Sequence, residues 1–189
     1  VGKVGTDLHT TTFDPEVARE LTAKVRPYGS YIKGHYTDDV SNPEEYPLSG
    51  MGAANVGPEF TMNEYDALAE LEEEEKKLFA EGKIAQLSNM TQVLWQCVYE
   101  SNRWKKWLHG EEVGKDLKEC TPERQLWLVK TGCRYIWQKP EALVARQMLY
   151  DNLERLGIHA EEVVLMRIEH NMDKYYRAFN LIDLNDYIK

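Results

Sequence analysis

Two histidines stand where predicted strands end. His9 closes the predicted strand Val1–His9, and His35 closes Ser30–His35, with one predicted helix between the two strands. Because the carboxyl ends of parallel strands open on the same face of a barrel, the two imidazoles could converge on one metal ion. Alternatively, each histidine caps its own strand by bonding a loop carbonyl. The spacing alone leaves both interpretations open.

Carboxylates accompany both histidines. Asp7 lies two residues before His9 and would share its face of the strand. It could act as a general base on a metal-bound sugar, or orient the histidine as a hydrogen-bond partner. Asp38 and Asp39 follow His35 and could act on the sugar in the same way, or simply cap the loop. We therefore take Asp7 as the catalytic candidate and Asp38 as a substrate contact.

A third candidate position is Asn55, which ends another short predicted strand and is followed by Gly57 and Pro58. A strand end of this kind lets a ligand approach the backbone at Gly57, and the Asn55 amide could bond a sugar hydroxyl. The alternative for Asn55 is an asparagine turn. The glycines at 50 and 52 precede a strand instead of joining a strand to a helix, so neither a dinucleotide loop nor a P-loop is predicted.

The elements that must position these residues follow the order strand, helix, strand, loop, strand over residues 1–61. Asp14 and Pro15 predict the start of the first helix as N-cap and first-turn residue. This order is typical of βα units on a parallel sheet. Three parallel strands with two open edges cannot stand alone, because such a sheet needs both faces covered. We therefore expect further strands from outside these 189 residues.

Beyond residue 61 the pattern is helical throughout. Thr61 and Glu64 form a predicted capping box that opens a helix running to about Glu81. The acidic run Glu72–Glu75 in that helix is predicted to be a solvated face, since two lysines follow it at helical spacing. The next helix is predicted to begin at about Ala85.

Composition excludes several classes of partner. The chain has 32 acidic and 23 basic residues and a net charge of −9, which argues against a nucleic-acid backbone as partner. No run approaches the roughly 18 apolar residues of a membrane span. The three cysteines, Cys97, Cys120 and Cys133, are far apart and form no CxxC motif, which predicts reduced thiols in a cytoplasmic protein.

An ordered series of short segments carries a resemblance to a known family. The segments are Asp7–His9 (DLH), Ile32–Asp38 (IKGHYTD), Asn55–Thr61 (NVGPEFT), Trp104–Trp107 (WKKW) and Arg134–Trp137 (RYIW). Together they resemble the class II tagatose-bisphosphate aldolase non-catalytic subunit family. The resemblance covers most of this chain but only about the C-terminal half of a full family member.

The resemblance implies an α/β fold, the C-terminal part of a TIM (β/α)8 barrel. Residues 1–61 would hold about strands six to eight, and residues 62–189 the barrel-closing helix and a C-terminal helical region. In the catalytic relatives a divalent metal, usually zinc, polarises the ketose carbonyl and stabilises an enediolate. By position His9 and His35 match two such metal ligands, and Asn55 matches a substrate-binding asparagine.

The segment after His35 departs from the catalytic pattern. Catalytic relatives have a Gly/Ser phosphate loop there, whereas this chain has Tyr36, Thr37, Asp38 and Asp39, whose two carboxylates would repel a phosphate. We expect a metal-dependent aldolase or C4-epimerase acting on a ketose or ketose phosphate, or else a non-catalytic subunit that stabilises a catalytic aldolase subunit. The expected partners are a sugar, the rest of the barrel, and an aldolase subunit or a second copy of the chain.

Overall fold

The computed structural model describes residues 13–188, and these divide into two compact units. The first unit holds the described residues up to Phe60 and those from Glu169 onward, and the second is Thr61–Ile168. Helices dominate both, and the first unit also contains a small parallel sheet. The described chain is therefore mainly helical with an α/β element. The predicted strand Val1–His9 lies outside the described residues.

The first helix begins as the sequence predicts. Helix α1 spans Pro15–Val25, and the Asp14 carboxylate accepts hydrogen bonds of 3.1 Å from the backbone N–H groups of Glu16 and Val17. These bonds satisfy amides that have no partner within the helix. A short 3-10 turn, Arg26–Tyr28, then leads the chain towards the sheet.

The sheet consists of two very short strands. Strand β1 is Lys33–Gly34 and strand β2 is Ala53–Ala54, with the four-residue helix α2, Glu45–Leu48, in the connection between them. The strands are parallel and pair in order, first residue with first and second with second. The predicted order and parallel direction of these two strands are confirmed. Only two residues of each strand form the ladder, however, so the strand predicted over Ser30–His35 is too long.

An aromatic cluster covers one side of this sheet. The Phe13 ring stacks on Tyr46 of α2 with centroids 3.9 Å apart, and Phe179 lies against the same Tyr46 ring at 5.8 Å. The other buried apolar residues of the cluster are Ala18, Val40 and Met51. Burial of these side chains holds α1, α2 and the strands together.

The second unit is built from α3 (Pro58–Ala80), α4 (Met90–Ser101), α5 (Pro122–Gly132), α6 (Pro140–Glu154) and α7 (Ala160–Ala178). The first turn of α3 and the second half of α7 belong to the first unit, as does α8 (Leu184–Tyr187). The core of the second unit includes the fully buried Trp104 and the leucines at 68, 94, 128 and 149. No helix within residues 13–188 is both long enough and apolar enough to cross a membrane.

The predicted capping box at the start of α3 is wrong. The helix begins at Pro58, so Thr61 lies inside the helix instead of capping it. Glu64 does not reach back towards Thr61, because its carboxylate pairs with Arg146 at 2.6 Å. Two amides at the start of α3, those of Gly57 and Glu59, are instead bound by a carboxylate from another part of the first unit.

The prediction of a solvated acidic face on α3 is also wrong for two of its glutamates. Glu72 and Glu75 are 2% and 0% exposed. Glu75 accepts bonds from the Ser88 backbone N–H and hydroxyl at 3.0 and 2.6 Å, and Glu72 accepts bonds from the N–H and hydroxyl of Thr91. These bonds fix the loop before α4, which is why that helix begins at Met90 and not at about Ala85.

Candidate functional site

The ends of β1 and β2 bring two of the predicted site residues to one edge. His35 follows Gly34 directly and Asn55 follows Ala54, and Gly34 and Ala54 are paired in the parallel ladder. The Asn55 N–H donates to the Gly34 carbonyl at 3.1 Å, and the Thr37 N–H donates to the Asn55 carbonyl at 2.9 Å. Both His35 and Asn55 are exposed. The backbone register therefore brings His35 and Asn55 to neighbouring positions at the carboxyl end of the sheet.

The two faces of this sheet differ. Gly34 faces Tyr46 so closely that a Cβ on the glycine would lie 2.5 Å from the Tyr46 Cε1 atom, so this face is filled. Lys33 and Ala53 point to the opposite face and are exposed. Because side chains alternate along a strand, His35, two residues after Lys33, lies on the same face of the sheet as Lys33. The open face of the sheet is therefore the one that presents the polar groups, and Lys33 is an addition to the predicted set.

The backbone after His35 turns sharply. Tyr36 and Asp39 both adopt left-handed conformations, with φ of 57° and 54°, which non-glycine residues rarely occupy. The His35 and Tyr36 rings contact each other with centroids 4.4 Å apart. Such conformations persist only where surrounding contacts hold them. The contacts that hold this turn come from the start of α3 and from the end of α7.

Asp38 closes the start of α3. Its carboxylate is 3% exposed, and Oδ1 accepts hydrogen bonds of 2.9 Å from both the Gly57 N–H and the Glu59 N–H. Asp38 and Gly57, both predicted to contact substrate, are thus hydrogen-bonded to each other. The sequence alternative was that Asp38 caps its own loop, whereas the geometry shows it capping a helix that begins about 20 residues later. Its role as a substrate contact stays a prediction.

The Glu59 side chain, in the first turn of α3, binds back to the loop that carries Asp38. The residue is 3% exposed, its Oε2 accepts a hydrogen bond from the Asp39 N–H at 2.7 Å, and its Oε1 accepts one from the Lys174 ammonium at 2.7 Å. Burial alone would raise the pKa of the Glu59 carboxyl, but the bonds from Asp39, Lys174 and Tyr175 outweigh it and lower the pKa below its ordinary value. Glu59 is therefore an anion at neutral pH.

Tyr175 of α7 completes the network. Its buried hydroxyl donates to the Thr37 carbonyl at 3.0 Å and to Oε2 of Glu59. Burial, followed by the hydrogen bond to Glu59 and the charge of that carboxylate, raises the pKa of the Tyr175 hydroxyl far above its ordinary value. The Lys174 ammonium lies 4.5 Å from the centre of the same ring. The loop carrying His35 is thus tied to α3 by charged hydrogen bonds, which are stronger than neutral ones, and to α7 by the neutral bond from Tyr175 to Thr37.

The sequence prediction missed the residues of this network. Glu59, Lys174 and Tyr175 are separated from Asp38 by 21 residues or more, and neither periodicity nor motif spacing links them. One signal was present, because Glu59 follows Gly57 and Pro58 in the first helical turn, where an acidic residue is favoured. The partners on α7 carry no local signal.

The described residues include only part of the predicted metal centre. His9 and Asp7 lie outside the described residues. Within residues 13–188 no group of three or more His, Cys, Asp or Glu side chains is arranged to hold a metal ion. His35 fits the role of one imidazole ligand, since it is exposed at a strand end. A zinc site, however, needs four ligands in all, either four protein side chains or three together with a water molecule. The described residues thus supply at most one part of such a centre.

A cavity of about 330 Å³ lies alongside β2 in the first unit. It is lined by Tyr46, Pro47, Met51, Gly52, Ala53, Ala54, Phe179 and Leu181. Neither His35 nor Asn55 belongs to this lining, so the cavity is separate from the strand-end edge.

Comparison with known proteins gives a family and a fold. Residues 4–180 match the family model described as D-tagatose-1,6-bisphosphate aldolase subunit GatZ/KbaZ-like. The fold is similar to that in the crystal structure of a probable tagatose 6 phosphate kinase from Sinorhizobium meliloti 1021, with a TM-score of 0.72 and 20% identity. That match covers 94% of this chain and 50% of the other, so this chain spans about half its length. No curated protein matched the sequence.

Removal of the Tyr175 hydroxyl should destabilise the protein. Tyr175→Phe leaves the Thr37 carbonyl and the Glu59 carboxylate short of one donor, and we expect it to lower the free energy of unfolding by about 1–3 kcal/mol. Tyr176→Phe is the matched control, because Tyr176 is 42% exposed, and it should change stability by less than about 0.5 kcal/mol. Urea denaturation followed by circular dichroism measures both. Equal effects of the two variants would contradict the network.

Glu59 should also make stability depend on pH in the acid range. Because folding lowers its pKa, its contribution is fully present above the unfolded pKa of about 4.3 and is lost as the pH falls through the folded pKa. Between pH 6 and pH 3, Glu59→Gln should therefore lose less stability than the unmodified protein. Glu169→Gln, at an exposed position on α7, should keep the original slope. Parallel profiles for Glu59→Gln and the unmodified protein would refute the assignment.

Proposed function

Because the chain belongs to the D-tagatose-1,6-bisphosphate aldolase subunit GatZ/KbaZ-like family, we propose that it acts in tagatose-related carbohydrate metabolism. The proposed role is to supply part of a ketose-binding site at the carboxyl ends of parallel strands. The cysteines at 97, 120 and 133 are free thiols, two of them buried, which suits the reducing cytoplasm as its location.

The proposed architecture is a larger α/β barrel to which this chain contributes strands six to eight. Residues 1–61 would form the last βα units and residues 62–189 the closing helix and helical region. Two features support this. Parallel sheets of two short strands do not stand alone, and the face that carries Lys33 is exposed. The chain also spans about half of the solved structure that it resembles.

The observation that carries the proposal is the register of β1 and β2. Pairing of Gly34 with Ala54 puts His35 and Asn55 side by side at the carboxyl edge, where barrels of this class bind their substrates. A carboxamide can both donate to and accept from a sugar hydroxyl. An imidazole can hold a metal ion or exchange a proton with the substrate. These two groups therefore suit a polyhydroxy carbonyl compound.

The proposed chemistry is metal-assisted enolate or retro-aldol chemistry, as in an aldolase or a C4-epimerase. His35 would hold a divalent metal, proposed to be zinc, together with His9, and the metal would polarise the ketose carbonyl. Asp7 would serve as a base, and Asn55 with the backbone at Gly57 would orient the sugar. Asp38 and Glu59 would keep the His35 loop in place. The remaining ligands would come from the rest of the barrel.

Binding measurements test this proposal without relying on turnover. Titration calorimetry of the protein with zinc, and then with D-tagatose, should show that His35→Ala weakens zinc binding at least about tenfold. Asn55→Ala should leave zinc binding intact and weaken sugar binding about tenfold, as expected for one lost hydrogen bond. His170→Ala, at an exposed site on α7, is the control and should change neither. Unchanged binding in both site variants would sink the proposal.

A second candidate is a non-catalytic subunit that stabilises a catalytic aldolase subunit. One observation favours it, namely that the family is described as an aldolase subunit. In that case the titrations above would show no zinc binding by the unmodified protein. The protein would instead bind a class II aldolase chain and prolong the half-life of its activity.

A further inference from the structure

The start of α3 is a place where an anion is expected to bind. Amide groups at a helix N-terminus lack partners within the helix, and the helix dipole favours negative charge there. In this chain two amides at the helix start already have a partner. The Asp38 carboxylate takes both the Gly57 N–H and the Glu59 N–H at 2.9 Å, and Pro58 between them has no N–H to offer.

The surroundings add further negative charge. The Glu59 carboxylate is buried beside this helix start and binds the Asp39 N–H at 2.7 Å. The Lys174 ammonium is engaged with Glu59 at 2.7 Å. A phosphate at the helix start would have to displace the buried carboxylate of Asp38 and would also meet the charge of Glu59. Like charges placed together in this way oppose binding.

We propose that Asp38 is a specificity-determining residue that occupies the anion position at the start of α3. The sugar that reaches His35 and Asn55 then presents hydroxyl groups, and no phosphate, to this corner of the site. The inference rests on the proposed sugar site and narrows its substrate class. A ketose phosphate can bind only with its phosphate directed away from the loop that follows β1.

Inorganic phosphate is the probe that tests this inference. Two-dimensional 1H–15N NMR can follow the amide signals of Gly57 and Glu59 during a phosphate titration at constant ionic strength. The unmodified protein should show no saturable shift of either signal. Asp38→Gly frees both amides and should bind phosphate at least about tenfold more tightly. Asp38→Asn keeps the amides occupied and should behave as the unmodified protein does.

Two outcomes would overturn the inference. One is a saturable shift of the Gly57 and Glu59 signals in the unmodified protein. The other is a folded Asp38→Gly variant whose amides ignore phosphate, since Asp38 would then not be the group that excludes it. If that variant does not fold, Asp38→Ala, which also frees the Gly57 and Glu59 amides, takes its place with the same expected result. The titration contains no sugar or metal, so its result does not depend on whether His35 and Asn55 bind a ketose.

Discussion

The rest of the first unit depends on a reciprocal exchange of hydrogen bonds between a loop and a helix. The Asp38 carboxylate caps α3 through the Gly57 and Glu59 amides, and the Glu59 carboxylate returns a bond to the Asp39 amide. This pattern is reciprocal, as a capping box is, but its two carboxylates lie about 20 residues apart in the chain. Because α3 follows β2 directly and the loop follows β1, the exchange fixes the ends of both strands relative to each other.

Tyr175 and Lys174 extend this exchange to α7. Both bind Glu59, and the Tyr175 hydroxyl also reaches the Thr37 carbonyl in the loop. A carboxylate with three donors stays ionised although it is buried, since the hydrogen bonds offset the cost of removing it from water. The strained turn after His35 can therefore persist, and the His35 imidazole and the Asn55 carboxamide are held at the edge of the sheet. Their neighbours from a larger barrel would complete the proposed site.

Local signals in the sequence predicted the local features well. The cap of α1 by Asp14 is confirmed because it depends on neighbouring residues. The order of β1 and β2 is confirmed as well, although the paired residues lie about 20 positions apart in the chain. The start of α3 was misplaced, because the carboxylate that caps it comes from another segment. The same cause hid the burial of Glu75, which bonds Ser88 beyond the end of its own helix. Long-range carboxylate contacts leave no periodicity that a sequence pattern can reveal.

The most direct test of the reciprocal exchange is the rate of amide hydrogen exchange at Gly57, Glu59 and Asp39. All three amides donate to buried carboxylates, so they should open only when the loop and the helix separate. We predict that they exchange as slowly as amides in the middle of α3, measured by NMR at neutral pH. Exchange of the Asp39 and Gly57 amides at the rate of an unstructured peptide would contradict the account.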